Sequence, residues 1–175
     1  NFTQENNLSL HLDGARAFNA AVSLELDIVN ICKYFDSASL CLSKGLGAPV
    51  GSVLVGNTNF IQTARRYRKM LGGGLRQSGI LAAAGLFCIS NNINDLKKDH
   101  DNAQLLLSGL NSIKEITVLS CDTNMLFIQV SKNVEESLLA YLKDKNVLIS
   151  GYGQLRLVTH RDVSTQDIKT VIEVF

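Results

Sequence analysis

A lysine in a glycine-rich loop is the residue at which this sequence most clearly suggests chemistry. Lys44 lies between two largely apolar runs, residues 37–42 and 52–55, that predict strands, and its neighbours are small or apolar. Such surroundings would partly desolvate the ammonium group, and a desolvated lysine is a nucleophile toward carbonyl compounds. A lysine on a solvated face is the ordinary alternative. The small neighbours would also leave space for a flat molecule.

A nucleotide loop is another interpretation of these glycines, and their spacing argues against it. The pattern G-x-x-x-x-G-K-[ST] is absent, and the run Gly45-x-Gly47-x-x-Val50 lacks the last glycine of the dinucleotide pattern. Gly45 and Gly47 would instead allow the backbone to pass close to a bound group.

An aspartate follows the predicted strand at residues 8–12. The Asp13 carboxylate could cap the next turn, which is the usual role, or face a cation. Because ligands bind at the carboxyl ends of strands in open α/β sheets, Asp13 and Lys44 are candidates for one site. His11 shares a strand face with Asp13, and it is equally well explained as a supporting group or as a core histidine.

Several arginines and lysines are further candidates. Arg16 would be solvated unless a ligand engages it. Arg156 lies in the apolar pattern of residues 155–158, where a guanidinium would suit bidentate binding of a carboxylate. A basic cluster is most simply a solvated helix face, because a net charge of +1 and 6% aromatic residues do not favour nucleic acid. Its members are Arg65, Arg66, Arg68, Lys69 and Arg76.

The elements that must position these residues form two groups. Strands are predicted at residues 8–12, 37–42, 52–55, 116–119, 125–130, 147–149 and 154–158. Helices are predicted at residues 15–21, 23–35, 60–71, 77–91, 94–113 and 134–143, with a last helix opened by Ser164-x-x-Asp167. Asn57 is expected to cap the helix at residues 60–71. The helix at residues 77–91 is apolar nearly all round and is expected to be buried.

This order of elements predicts an α/β fold in two parts. Residues 1–100 would form part of a large domain with a mostly parallel sheet, and residues 101–175 a small α+β domain. With 46% hydrophobic and 19% charged residues, the 175-residue chain can form a packed core. The four cysteines lack metal-ligand spacing, and no signal peptide or membrane span is evident, so we expect a cytoplasmic or organellar protein with reduced thiols and no metal site.

Three ordered segments, taken together, resemble the low-specificity L-threonine aldolases. They are HLDGARAFNA at residues 11–20, SKGLGAPVGS at residues 43–52 and RKMLGGGLRQ at residues 68–77, and RLVTH at residues 156–160 closes the match. This family consists of pyridoxal-phosphate (PLP) enzymes of the aspartate-aminotransferase fold type, fold type I. The resemblance implies cleavage of L-threonine or L-allo-threonine to glycine and acetaldehyde.

The resemblance also implies a role for each candidate residue. Lys44 would bind PLP as a Schiff base, and Asp13 would keep the pyridine nitrogen protonated. Arg16 would reach the cofactor hydroxyl and the substrate carboxylate, which Arg156 would also bind. The catalytic base is not identified by these motifs, although His160 is a candidate.

The basic cluster would acquire a role in an oligomer. The resemblance implies a homodimer or homotetramer in which Lys69 and Arg76 approach the cofactor phosphate of the neighbouring subunit. Family members are about twice as long, so this chain corresponds to the C-terminal part of the large domain plus the small domain. We therefore expect residues 1–175 alone to be inactive and poorly soluble. A related PLP lyase or racemase, and a non-catalytic remnant, are the alternatives.

Overall fold

The computed structural model describes residues 2–175, except for the side chain of Tyr152. The chain divides into two compact units, the first ending at Leu96 and the second running from Lys97 to Phe175. From the sequence, the boundary was expected after residue 100. None of the helices in the described part of the chain combines the length and the hydropathy needed to cross a membrane.

The first unit contains a three-stranded sheet and five helices among its described residues. Strand β1 (His11–Gly14) runs parallel to β2 (Ser37–Cys41), and β2 is antiparallel to β3 (Ser52–Gly56), so one of the two pairings is parallel. The helices are α1 (Phe2–Glu5), α2 (Ala17–Ser23), α3 (Ile28–Cys32), α4 (Thr58–Met70) and α5 (Gly79–Asn91). The parallel pair is possible because residues between β1 and β2 form a crossover that includes α2 and α3.

The core of the first unit lies on one face of this sheet. Ala38 and Leu40 of β2 are buried there, together with Phe18 of α2 and Cys88 of α5. Because side chains alternate along a strand, the neighbouring residues of β1 and β2 point to the other face. This second face is polar and carries His11, Asp13, Ser37, Ser39 and Cys41.

The second unit is an antiparallel sheet covered by helices. Its strands are β4 (Thr117–Asp122), β5 (Met125–Gln129), β6 (Ser150–Tyr152) and β7 (Gln154–Val158), in the spatial order β4-β5-β7-β6. Its helices are α6 (Leu96–Leu110), α7 (Lys132–Asp144) and α8 (Thr165–Val174). Leucine and isoleucine side chains of β5 and β7 pack against α6 and α8, and the buried set includes Leu106, Leu110, Leu126, Ile128, Leu155, Leu157 and Ile168.

Two helix starts are confirmed. The Asn57 side chain accepts a hydrogen bond of 2.9 Å from the backbone N–H of Phe60, which satisfies a free donor at the start of α4. At α8, Ser164 and Asp167 form a reciprocal capping box. The side-chain and backbone hydrogen bonds from Ser164 lower the pKa of Asp167 below its ordinary value.

Two local predictions were wrong. Residues 23–35 do not form one helix, because Glu25 adopts a left-handed φ of 54° and Asp27 caps a new, short helix, α3. The strand predicted at residues 147–149 lies instead at Ser150–Tyr152, beside β7. In both places a polar turn residue determines the boundary more strongly than the hydrophobic pattern does.

The burial that the apolar sequence of α5 predicts is incomplete within this chain. Only Gly85 and Cys88 of this helix are buried, whereas Leu86 is 67% and Phe87 62% exposed. Gly85 lies close to Leu42, so a single narrow strip of α5 packs against the sheet. An all-apolar sequence indicates that no face prefers water, but it does not say how many neighbours cover the helix within this chain.

Candidate active site at the carboxyl edge of the first sheet

The loop after β2 has a defined backbone conformation around Lys44. The N–H of Gly47 donates to the carbonyl of Lys44 at 2.8 Å, and the N–H of Ala48 donates to the carbonyl of Leu42 at 3.0 Å. Gly47 has a φ of 78° and Gly51 a φ of 120°, which residues with a side chain rarely adopt. The glycines therefore allow the loop to turn twice within a few residues of Lys44.

The same loop is anchored in the core of the first unit. Leu46 and Ala48 are buried, and the side-chain amide of Asn92 donates a 2.7 Å hydrogen bond to the carbonyl of Leu46. A Cβ on Gly45 would lie 2.6 Å from the Cδ2 of Leu96, so the backbone packs closely at this point. Asn92 was not singled out from the sequence, because an asparagine after an apolar helix is an ordinary helix end.

The Lys44 side chain is exposed, which corrects the expectation that its ammonium is desolvated. Leu46 and Ala48 turn into the core, and Lys44 lies on the opposite side of the loop. The apolar neighbours in the sequence therefore anchor the loop and do not surround the amine.

Asp13 and Lys44 lie at the same edge of the first sheet. Strands β1 and β2 are parallel, with Asp13 opposite Ser39, and Lys44 follows the carboxyl end of β2. Asp13 is exposed, and its Oδ1 accepts a 3.2 Å hydrogen bond from the N–H of Ala15. The capping role is therefore present, and the second carboxylate oxygen has no protein partner among the described residues. That oxygen can accept a hydrogen bond from a ligand.

Arg16 lies near this edge, whereas His11 is at the other end of β1. Arg16 is half-buried and immediately precedes α2, beyond the end of β1. His11 is exposed, and its Nδ1 lies 2.8 Å from the Oγ of Ser37 on the neighbouring strand. His11 is therefore on the polar face with Asp13 and is not a core histidine.

Cys41, one of the four cysteines, lies half-buried on the polar face. The Sγ of Cys41 is 3.6 Å from the Oγ of Ser43, and Cys41 is opposite Ser52 on β3. Burial raises the pKa of Cys41, but hydrogen bonds with Ser43 and Ser52 and the positive charge of Lys44 outweigh it, so the pKa is lowered.

In the second unit, Arg156 lies on β7 between Phe127 of β5 and Ser150 of β6. Its side chain is exposed, which corrects the expectation of a guanidinium inside an apolar strand. Leu155 and Leu157 are buried on the other face, so alternation along the strand directs Arg156 outward. Among the described residues it has no ion pair or hydrogen bond through its side chain, and it is available to an anion.

Arg156 and His160 line an open groove of about 680 Å³ in the second unit. The Nδ1 of His160 accepts a 3.4 Å hydrogen bond from the N–H of Asp162. The same Nδ1 lies 3.6 Å from the Oδ2 of Asp162.

The basic cluster is exposed throughout. Lys69 lies near the end of α4, and Arg76 lies between α4 and α5. Neither side chain lies with Asp13 and Lys44 on the sheet, and the described part of the chain shows no ligand role for them. Within residues 2–175, no group of three or more histidine, cysteine, aspartate or glutamate side chains could hold a metal ion.

The chain is similar to known proteins over nearly its whole length. The family model described as "Beta-eliminating lyase" matches residues 1–133. The low specificity L-threonine aldolase of Escherichia coli K12 is 51% identical over 170 residues, which are 97% of this chain and 51% of that protein. Low-specificity L-threonine aldolase 1 of Arabidopsis thaliana is 41% identical over 175 residues, covering 96% of this chain and 49% of that protein. The chain thus spans about half the length of these curated relatives.

Solved structures with the same fold include two described as threonine aldolases. A putative L-allo-threonine aldolase from Listeria monocytogenes superposes with a TM-score of 0.82 at 23% identity, covering 99% of this chain and 53% of that one. A threonine aldolase from Leishmania major superposes with a TM-score of 0.79 at 21% identity, covering 98% and 52% of the two chains. At this level of identity the likeness shows the fold, which is the predicted fold type I arrangement.

Proposed function

Since this chain belongs to the beta-eliminating lyase family, we propose that the full-length protein is a PLP-dependent aldolase. Its reaction would be the cleavage of L-threonine or L-allo-threonine to glycine and acetaldehyde. The observation that carries the proposal is the placement of the Lys44 amine and the Asp13 carboxylate at one carboxyl edge of a parallel strand pair. Identity of 51% with an Escherichia coli aldolase supports the choice of substrate class.

The residues at this edge fit PLP. An aldehyde requires an accessible primary amine, and Lys44 is exposed on an anchored loop. A pyridine nitrogen that must stay protonated requires a carboxylate, and Asp13 retains one oxygen without a protein partner among the described residues. A Cβ on Gly51 would meet no atom within 4 Å, so the space next to this residue of the loop is open.

Each of the candidate side chains would have a defined role in binding the cofactor or the substrate. When bound, PLP supplies an electron sink for the pair left on the α-carbon as the Cα–Cβ bond breaks. Lys44 would hold the cofactor through Nζ, and Asp13 would keep a proton on the ring nitrogen. Arg16 would bind the cofactor hydroxyl and, with Arg156, the substrate carboxylate, which orients the bond to be broken.

Arg156→Lys is expected to raise KM for L-threonine by about tenfold and to change kcat less. The guanidinium can bind a carboxylate through two parallel hydrogen bonds, whereas lysine presents a single point charge. The exposed position on a paired strand should accept lysine without loss of the fold. Steady-state kinetics of the full-length protein will measure this. An unchanged KM would assign Arg156 a structural role.

The proposal also includes the cellular location and the oligomeric state of the protein. A cytoplasmic homodimer or homotetramer would bring Lys69 and Arg76 of one subunit toward the cofactor phosphate of the next. Both side chains are exposed and carry the charge that a phosphate requires.

Threonine cleavage tests the proposed function. Purified full-length protein should bind PLP, show a yellow colour and release acetaldehyde from L-threonine, while residues 1–175 alone should not. Sedimentation will give the oligomeric state. Release of acetaldehyde by the isolated 175-residue chain would show that the expected contribution of further residues is wrong.

A second candidate is a related PLP lyase or racemase that uses the same Lys44 and Asp13. The matching family model is described as a beta-eliminating lyase and not as an aldolase, which favours including this candidate. A substrate panel that contains threonine, allo-threonine, serine and aromatic amino acids separates the candidates. If another amino acid is turned over and threonine yields no acetaldehyde, the aldolase proposal is rejected in favour of this second candidate. If no substrate is turned over, a non-catalytic protein is favoured.

A further inference from the structure

Asn92 connects the end of a helix to the loop that carries Lys44. It is the C-cap residue of α5, where its backbone N–H donates to the carbonyl of Cys88 at 2.9 Å. Its side-chain Nδ2 donates to the carbonyl of Leu46 at 2.7 Å, across 46 residues of sequence. Asn92 is 6% exposed and Cys88 4% exposed, so this donor is held within the core of the first unit.

The hydrogen bond acts on the segment that fixes the position of Lys44. Leu46 is buried, and the next residue, Gly47, donates its N–H to the carbonyl of Lys44 at 2.8 Å. A shift of the Leu46 carbonyl would therefore be transmitted to the Lys44 backbone through a single peptide unit. Loss of this buried hydrogen bond would weaken the connection between the loop and the end of α5, so the loop would be less restrained.

We propose that Asn92 is a positioning residue for Lys44, which it holds through the Leu46 carbonyl in the conformation required to bind the cofactor. This inference rests on the proposed function for the role of Lys44, but the restraint on the loop does not depend on turnover. The residue acts through the backbone and has no contact with substrate. Its contribution is to hold Lys44 in position before the reaction. Such pre-organisation matters because small displacements of a reacting group change rates strongly.

The matched pair of variants is Asn92→Asp and Asn91→Asp. Aspartate has the size of asparagine but lacks the N–H donor, so Asn92→Asp places a carboxylate oxygen against the Leu46 carbonyl. Asn91 is the adjacent residue of the same helix, it is exposed, and its amide donates only to the carbonyl of Phe87 at 2.8 Å. The pair separates loss of the Leu46 contact from a change of charge at the end of α5.

Three measurements on the full-length protein test the proposal. In the cofactor-free protein, amide hydrogen exchange of residues 43–51 and the rate of Lys44 labelling by an amine reagent report loop order directly. In the loaded protein, kcat and KM are separated. We expect Asn92→Asp to accelerate exchange in this loop, to alter Lys44 labelling and to lower kcat by roughly 10- to 100-fold with little change in KM. Asn91→Asp should match the wild type.

Asn92→Gln provides the second variant if Asn92→Asp does not fold. Glutamine retains an amide donor one methylene farther out, so it should preserve more loop order and more kcat than Asn92→Ala. Equal losses in Asn92→Gln and Asn92→Ala, or unchanged loop exchange in Asn92→Asp, would overturn the proposal. A loosened loop in a protein whose wild type cleaves no threonine would support the restraint and reject the aldolase instead.

Discussion

Lys44→Ala should abolish threonine cleavage by the full-length protein. Removing the group that holds the cofactor removes every later step, and losses of about 10³-fold or more are typical when such a residue is deleted. The fold should be retained, because the Lys44 side chain is exposed and the loop is anchored by Leu46, Ala48 and Asn92. The variant should also lose the yellow colour that PLP gives the wild type.

Borohydride reduction followed by peptide mapping provides the direct measurement. In the wild type, the cofactor should be fixed to the peptide that contains Lys44 and to no other. The control is Lys33→Ala, because Lys33 is an exposed lysine of the same unit whose Nζ contacts only Asn30 and the ring of Tyr34. Cofactor fixed to another lysine, or a coloured and active Lys44→Ala, would reject the assignment.

Asp13→Asn should lower kcat by roughly 100-fold or more while the protein remains folded. A carboxylate stabilises a protonated pyridine nitrogen, and a neutral amide cannot do so in the same way. The turn after β1 should survive, because the Oδ1 of asparagine can accept the same hydrogen bond from Ala15. The variant therefore removes the charge and keeps the local structure.

The matched control for Asp13 is Asp36→Asn. Asp36 is exposed and also accepts a backbone hydrogen bond, at 2.7 Å from the N–H of Leu10, but it does not lie at the carboxyl edge of the sheet. We expect near wild-type kcat for Asp36→Asn, and thermal unfolding should be followed for both variants. Wild-type kcat in Asp13→Asn would leave the carboxylate with only its capping role.

Much of the fold follows from local sequence signals. The run at residues 154–158 alternates polar and buried residues, and β7 has these bounds. Asn57 and the Ser164–Asp167 capping box define helix starts because their side chains satisfy free backbone donors. The short α3 was missed because the left-handed turn at Glu25 has no strong signature in residue type.

The candidate site could be predicted only in part. Residue type and order identify Lys44 and Asp13, and strand direction then places both at one edge. The exposure of Lys44 and Arg156 could not be predicted, because it depends on which face of a strand or loop the core occupies. The role of Asn92 could not be predicted from the sequence, because its hydrogen bond to Leu46 joins residues that are distant along the chain.

The uncovered helix α5 and strand β3 have a thermodynamic consequence. All five residues of β3 are exposed, and only two residues of α5 are buried. Unfolding of the first unit therefore transfers comparatively little new apolar surface into water. Its heat-capacity change per residue should fall below the usual figure of about 12–15 cal/mol/K, and its denaturant m-value should be low for its length. The second unit, whose strands β5 and β7 contribute several fully buried side chains, should unfold with the steeper dependence on temperature and denaturant.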